Sequence, residues 1–254
     1  MITFLVPVLN DIRVKECIKS IHDFDDLDSC NILLMAGRSD KKFCNEVSSV
    51  LKERDRLFSE PDNGLFDALN RGLDLVDNSI VGWIGADDII SLKVKASEVL
   101  SSFSGDIDAV IYSSAYVRNG RITRVLDSRY SSDFFFSWGF HNPHFSTFLK
   151  KECADKARFE INEVSRNQFA DIVYFTKVLS GVNRVITRKI AVYMSEGGVG
   201  SGNIKAVIFN LKSRYEFFKV NNSSFRSLIM VINNYVWKIM SKIYHMFVVK
   251  SIAE

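Results

Sequence analysis

The sequence contains few residues of the types that interrupt or cross-link a chain. Only three prolines occur in 254 residues, and no low-complexity stretch or internal repeat is visible, so no flexible linker is predicted. The four cysteines form no CxxC pair and have no histidine at zinc-ligand spacing, which argues against a zinc knuckle and a disulfide framework. We expect reduced, mostly buried thiols at Cys17, Cys30, Cys44 and Cys153.

Long apolar runs are also scarce. The first seven residues lack a basic n-region and a long apolar h-region, so we interpret them as a buried strand and not as a secretory signal. No run reaches the eighteen or so apolar residues that cross a bilayer. With 47% hydrophobic and 25% charged residues, the composition is that of a globular protein with one large core.

The net charge of +3 is unevenly distributed. From residue 204 onward, eight lysines and arginines stand against two glutamates, a charge of +6 that leaves the rest of the chain at −3. We therefore predict two parts, a domain over residues 1–203 and a basic tail over 204–254.

Apolar runs alternate with helical periodicities along the first half of the chain. Such alternation predicts βαβ units with right-handed crossovers and a mainly parallel sheet, and a hairpin at Asn119-Gly120 makes that sheet mixed. In such sheets, ligands bind at the carboxyl ends of the strands. The predicted strands cover residues 2–8, 31–36, 56–59, 79–85 and 107–113, and the helices between them begin near residues 14, 40, 64 and 91.

Two acids follow the fourth predicted strand directly. Asp87 and Asp88 come after an apolar stretch that ends at Gly85. Mg²⁺ or Mn²⁺ commonly takes one or two carboxylates, with phosphate oxygens and water completing its shell. The alternative is a solvated turn or the N-cap of a helix beginning near Ser91.

A polar loop opens directly into the third predicted helix, over residues 59–72. Asp62 is placed to accept the imide proton of a uracil, with Asn70 and Arg71 about two turns into the helix. Asp62-Asn63-Gly64 is equally typical of a turn and helix cap, so both interpretations stay open.

Several of these pieces, in this order, resemble a family 2 glycosyltransferase with the GT-A fold, of the kind found in bacterial surface-polysaccharide biosynthesis. The resemblance covers about residues 1–203. It rests on Pro7-Val8-Leu9-Asn10, the segment from Glu60 to Gly72, Gly85-Ala86-Asp87-Asp88, Pro143-His144-Phe145-Ser146-Thr147-Phe148, Ala170-Asp171 and Gly197-Gly198-Val199.

The resemblance implies a role for each of these sites. The fold would be α/β with a GT-A sheet flanked by helices and a C-terminal amphipathic helical extension. Asp87 and Asp88 would hold Mn²⁺ or Mg²⁺, Asp171 would be the general base, and His144 would either line the pocket or be a satisfied strand-end residue. Met35 stands where the family has an acid that contacts uracil. The donor-binding set would be Pro7, Asn10, Asp62, Asn70 and Asp87.

The predicted function is inverting, metal-dependent transfer of a sugar from a nucleotide sugar, UDP-linked by preference, to a lipid-linked saccharide in O-antigen, capsule or lipopolysaccharide assembly. It would be a hexosyl- or N-acetylhexosaminyl-transferase with no nucleic-acid partner. Two alternatives stay open: a nucleotidyltransferase, and a catalytically silent nucleotide-sugar-binding scaffold at the membrane.

The basic tail has helical periodicity. Polar residues recur at steps of three and four, which predicts an amphipathic helix with apolar residues on its remaining surface. Such a helix would bind the anionic inner face of the cytoplasmic membrane and keep the protein peripheral there. The alternative is packing on the body or on a second subunit as a homo-oligomer. The polar face comprises Asn234, Lys238, Ser241, Lys242 and His245.

Overall fold

An open sheet of nine strands forms the centre of the protein, in a computed structural model that describes residues 1–77, 79–139, 142–161, 170–196, 211, 212, 214–216, 218, 219 and 222–252. Its spatial order is β3-β2-β1-β4-β8-β6-β9-β5, with β7 paired to β6. The strands are β1 (Ile2–Pro7), β2 (Cys30–Met35), β3 (Arg56–Phe58), β4 (Ile80–Trp83), β5 (Ile89–Ile90), β6 (Ala109–Arg118), β7 (Arg121–Leu126), β8 (Thr147–Lys150) and β9 (Arg184–Ser195).

The sheet is mixed, as predicted. Strands β3, β2, β1 and β4 run parallel, whereas β8 is antiparallel to both of its neighbours, β4 and β6. The predicted hairpin joins β6 to β7, and its turn residues Asn119 and Gly120 have φ values of 50° and 73°. Two consecutive left-handed residues give the twist that a two-residue hairpin requires.

Helices cover both faces of the sheet. Successive residues of β1 point to opposite sides, so Phe4 and Val6 pack beneath α1 and α2 while Leu5 packs beneath α3 and α7. Burial on both faces explains why the parallel strands are continuously apolar. The helices are α1 (Val14–Phe24), α2 (Lys41–Ser48), α3 (Leu65–Leu75), α4 (Ala96–Ser101), α5 (Asp133–Phe136), α6 (Lys151–Ala154), α7 (Ala170–Val178) and α8 (Ser224–Ile252).

The tail is helical, but in its described half the buried and exposed faces differ from those predicted. Asn234 was predicted on a polar face, yet it is 8% exposed, and its Nδ2 donates to the carbonyl of Gly139 at 2.6 Å. Met230 and Val231 are buried beside it, so this face of α8 packs on the body. The side chains of Lys238, Ser241, Lys242 and His245 lie outside the described residues.

The opposite side of α8 is apolar and exposed. Its residues recur at helical spacing and form a stripe comprising Phe225, Leu228, Ile232, Val236, Ile239 and Met240, each with about half or more of its surface exposed. In the part of the chain that the structure describes, no helix combines the length and apolarity needed to cross a membrane. The 203/204 boundary and Gly197-Gly198-Val199 lie outside the described residues.

Candidate active site

Asp87 and Asp88 lie just beyond β4, at the edge where the parallel strands end. Asp88 is 4% exposed, and its Oδ1 accepts a hydrogen bond of 3.1 Å from the backbone N–H of Ser195, the last residue of β9. The Ser195 hydroxyl donates to the Asp87 carbonyl at 2.7 Å. Ser195 of β9 therefore holds the Asp88 carboxylate and the Asp87 backbone in place.

Gly85 leaves room for the carboxylate of Asp88. A Cβ at residue 85 would lie 2.7 Å from the Asp88 Oδ2, closer than side-chain carbons approach oxygens. The alternative that the acids cap a helix near Ser91 is wrong, because β5 follows them and α4 begins only at Ala96.

The electrostatic environment of Asp88 disfavours its charge. Burial raises the pKa of Asp88 to about 7, the negative charge of Asp87 acts in the same direction, and the N–H of Ser195 offsets only part of the effect. On the solvent side, the Nη1 of Arg13 lies 3.2 Å from the Asp87 Oδ2. A cation bound to the pair would favour the charged form of Asp88, which the folded protein alone disfavours.

These two carboxylates fit a Mn²⁺ or Mg²⁺ ion. Such ions are commonly held by one or two carboxylates together with substrate phosphates and water, and a buried carboxylate with a raised pKa gains from a cation beside it. Within the described ranges, no group of three or more His, Cys, Asp or Glu residues is arranged to hold a metal. A metal here would therefore depend on substrate oxygens for the rest of its shell.

The loops after β1, β2 and β3 meet at the same edge. Asn10 adopts a φ of 50°, and its Oδ1 accepts a hydrogen bond of 2.9 Å from the Asp40 backbone N–H. The Asp62 carboxylate lies against Gly37, where an added Cβ would come within 2.5 Å of its Oδ2. Asn10, Gly37 and Asp62 are thus brought together, as the strand ends predict.

Three other predicted or noted positions have packing roles in the structure. Pro7 pairs with Met35 in the β1–β2 register, and Met35 is 5% exposed in the core beneath α3. The side chain of Asn70 makes two hydrogen bonds to the backbone of Phe159. Its Nδ2 donates to the Phe159 carbonyl and its Oδ1 accepts from the Phe159 N–H, each at 2.8 Å. Asp62 Oδ1 accepts from Gly64 at 2.8 Å, which gives the predicted turn.

Asp171 lies in the first turn of α7 and is held by His144. The His144 Nδ1 is 3.0 Å from the Asp171 Oδ2, and its ring stacks on Phe175 with centroids 4.6 Å apart and planes 4° apart. Phe175 in turn contacts Trp83 of β4, with ring centroids 5.2 Å apart. His144 therefore contacts two residues one helical turn apart, and the rings join α7 to the strand that carries the acid pair.

Asp88 and Asp171 both affect the pKa of one side chain. Burial raises the pKa of Tyr116 on β6, and the charges of Asp88 and Asp171 both raise it further, against the positive charge of Arg124. In the sheet, Tyr116 lies opposite Met194 of β9, one residue before Ser195, which binds Asp88. The contacts from Asp171 through His144 and Phe175 to Trp83 bring the predicted base to the end of β4, next to the predicted metal ligand.

Four residues of this site were not predicted from the sequence. Arg13 belongs to the polar loop after β1, which could have indicated it, and Ser195 lies two residues before the predicted glycine motif. Tyr116 and Arg124 carried no signal, because they lie in a hairpin that was interpreted only by its turn.

Solved structures with the same fold include proteins that bind nucleotide sugars. Residues 1–349 of S. aureus TarS in complex with UDP-GlcNAc match with a TM-score of 0.64 at 12% identity, over 89% of this chain and 69% of that one. The mannosyltransferase PcManGT from Pyrobaculum calidifontis, in complex with GDP-Man and Mn²⁺, matches with a TM-score of 0.57 at 16% identity, over 91% and 68%.

No protein-family model matches the chain, and no curated protein matches it significantly in sequence. At 12 to 16% identity, the structural matches establish architecture alone. The chain has the GT-A fold, as its motifs predict.

Proposed function

We propose that this protein transfers a sugar from a nucleotide sugar to an acceptor hydroxyl with inversion at the anomeric carbon. The observation that carries this proposal is the placement of Asp171, which His144 and Phe175 connect to Trp83 at the end of β4, just before Asp87 and Asp88. An acid pair at the sheet edge for a diphosphate and a separate carboxylate for a proton are the two groups that this reaction needs.

Asp171 is the proposed general base. It takes the proton of the acceptor hydroxyl while the oxygen attacks the anomeric carbon, and the bond from that carbon to the diphosphate oxygen breaks. Attack from the face opposite the leaving group inverts the configuration and requires no covalent sugar intermediate. A positioned base contributes about 10²- to 10⁴-fold in rate, and His144 holds this one in place.

Asp87 and Asp88 are the proposed metal ligands. When bound, Mn²⁺ or Mg²⁺ supplies positive charge that stabilises the departing diphosphate. Ser195 keeps Asp88 oriented before any ligand arrives. The raised pKa of Asp88 shows that its ionisation is unfavourable in the folded protein. A bound cation would offset that unfavourable free energy.

The donor is proposed to be a UDP-sugar, with a hexose or N-acetylhexosamine to transfer. Asp62 and the Asn10 turn lie at the strand ends where the base would bind, and the TarS structure carries UDP-GlcNAc. Since PcManGT carries GDP-Man, GDP-sugars belong in the same screen.

The acceptor is proposed to be a saccharide carried on lipid, in polysaccharide assembly at the cytoplasmic face of the membrane. The exposed stripe on α8 offers apolar side chains, and the tail carries a charge of +6. Apolar burial and attraction to anionic lipids together give interfacial binding. In this proposal, residues 1–203 catalyse and residues 204–254 bind the membrane.

One assay tests the transfer. Purified protein with UDP- or GDP-sugars and Mn²⁺ should release nucleoside diphosphate, and EDTA should abolish the release. Asp171→Asn should lose transfer but keep nucleotide affinity, whereas Asp74→Asn, on the exposed surface of α3, should keep both. Release of pyrophosphate would indicate a nucleotidyltransferase, and nucleotide binding without turnover would indicate a silent scaffold.

A flotation assay tests the tail. Full-length protein should float with liposomes containing anionic lipid at low salt, and added salt should weaken the binding because exposed charges are screened. Ile232→Ser with Val236→Ser should reduce flotation. Protein that stays unbound at low salt would contradict the membrane proposal.

A further inference from the structure

Arg124 is a half-buried cation in the hairpin of β6 and β7. Its Nε is buried and has no hydrogen-bond partner, and the described part of the chain places no carboxylate in an ion pair with it. Its main contact is the face of Tyr116, whose ring centroid lies 4.4 Å from the Arg124 Cζ. Arginine stays protonated in proteins, so a positive charge is held in a partly desolvated position, where burial lowers the pKa of Arg124.

Such an arrangement is unfavourable for the folded protein. A buried charge is ordinarily paired, because losing its hydration costs more than a single aromatic contact returns. The charge of Glu196 attracts Arg124, but this carboxylate already accepts the Nε–H of Arg118 at 2.8 Å and the hydroxyl of Thr123 at 2.5 Å. The contacts within the hairpin therefore compensate the charge of Arg124 only in part.

The position of Arg124 connects it to the candidate active site. Arg124 lies opposite Tyr116 in the hairpin, and Tyr116 lies opposite Met194 of β9. The next residue of β9, Ser195, donates its N–H to Asp88. Arg124 therefore lies near the acid pair, where a phosphate group of a bound substrate would be attracted to it.

We propose that Arg124 binds a phosphate group of one of the substrates. This inference rests on the proposed function and adds a specific residue and ligand chemistry to it. A guanidinium presents paired N–H donors that match phosphate oxygens, with hydrogen bonds stronger than neutral ones. The phosphate belongs either to the donor diphosphate or to a phosphorylated acceptor, and the experiment separates these sources.

The test compares full-length wild type with Arg124→Met, which has similar length and no charge, and with Arg124→Lys, which keeps the charge but not the paired donors. Arg121→Met is the matched control, because Arg121 is exposed on the same hairpin. Calorimetry measures UDP and GDP affinity in Mn²⁺. Thermal unfolding then measures the effect of inorganic phosphate, with and without saturating nucleotide.

If Arg124 binds the donor diphosphate, Arg124→Met should bind nucleotide about tenfold or more weakly, with UMP affinity less affected. If it binds an acceptor phosphate, nucleotide affinity should be unchanged, and inorganic phosphate should stabilise nucleotide-saturated wild type but not Arg124→Met. In both cases, ligand-free Arg124→Met should unfold at the same temperature as wild type or higher, since an unpaired charge is removed. Arg121→Met should match wild type throughout.

An Arg124→Met protein that is folded and equals wild type in both nucleotide affinity and phosphate response would overturn the inference. Should that variant fail to fold, the same comparison is made with Arg124→Lys, and equality with wild type again overturns it. If wild type binds neither UDP nor GDP, the proposed function fails. The role of Arg124 is then decided by thermal unfolding alone, by whether inorganic phosphate stabilises wild type but not Arg124→Met.

Discussion

Replacing Asp88 with asparagine should stabilise the metal-free protein. The pKa of Asp88 of about 7 lies roughly three pH units above the usual value of about 3.9, so ionising it in the folded state costs about 4 kcal/mol. Asparagine removes that cost while its oxygen still accepts the Ser195 N–H. Its amide group occupies the space of the second carboxylate oxygen.

The gain should depend on pH in a defined direction. Between about pH 4 and pH 7, Asp88 is protonated to a greater extent in the folded state than in the unfolded state. Its contribution to the free energy of unfolding therefore falls as pH rises through that window. We expect Asp88→Asn to gain about 4 kcal/mol at pH 8 and about 1 to 2 kcal/mol at pH 5. Added Mn²⁺ should narrow the difference by stabilising only the parent.

Urea denaturation in EDTA at the two pH values measures these differences. Asp87→Asn serves as the comparison and should gain less, because the charge of Asp87 is secondary to burial in raising the pKa of Asp88. An Asp88→Asn protein that is less stable than the parent at pH 8 without metal would refute this reasoning.

Three further predictions concern side chains around the site and its supporting core. Gly85→Ala should cost about 1 to 3 kcal/mol by overpacking and weaken Mn²⁺ binding, because the new methyl group displaces the Asp88 carboxylate; unchanged metal affinity by calorimetry would contradict this. Asn70→Ala should lower stability by about 2 kcal/mol through loss of both bonds to Phe159, which urea denaturation would detect. Burial alone would raise the pKa of Asp55, but hydrogen bonds from a histidine and two backbone N–H groups hold it below its usual value. Asp55→Asn should therefore be less stable than the parent at pH 7, and the difference should shrink as pH falls below about 4.

Much of the fold follows from local sequence patterns. The apolar runs of β1 and β2 are buried on both faces, and Asn119-Gly120 forms the hairpin turn that those residue types favour. Strand β8 was missed because its four residues are too few to show a period. The inward face of α8 was misassigned because Asn234 is satisfied by a carbonyl 95 residues away.

Part of the candidate site could be predicted from the sequence and part could not. The position of Asp87 and Asp88 at the sheet edge could be predicted, because they directly follow an apolar strand. Asp171 was indicated only by the family resemblance, and the roles of all three residues stay predictions. Residue pairs distant in sequence could not, such as Asp88 with Ser195, which are separated by 107 positions. Their contacts arise only when the strands assemble.

The most direct test of the account is a crystal structure with Mn²⁺ and a non-hydrolysable UDP-sugar. We predict an anomalous peak for a manganese ion that is bound both to the diphosphate and to Asp88, Asp87 or both. The Asp171 carboxylate should face the anomeric carbon from the side opposite the leaving oxygen. A nucleotide bound away from this acid pair, or Asp171 on the leaving-group side, would contradict the account.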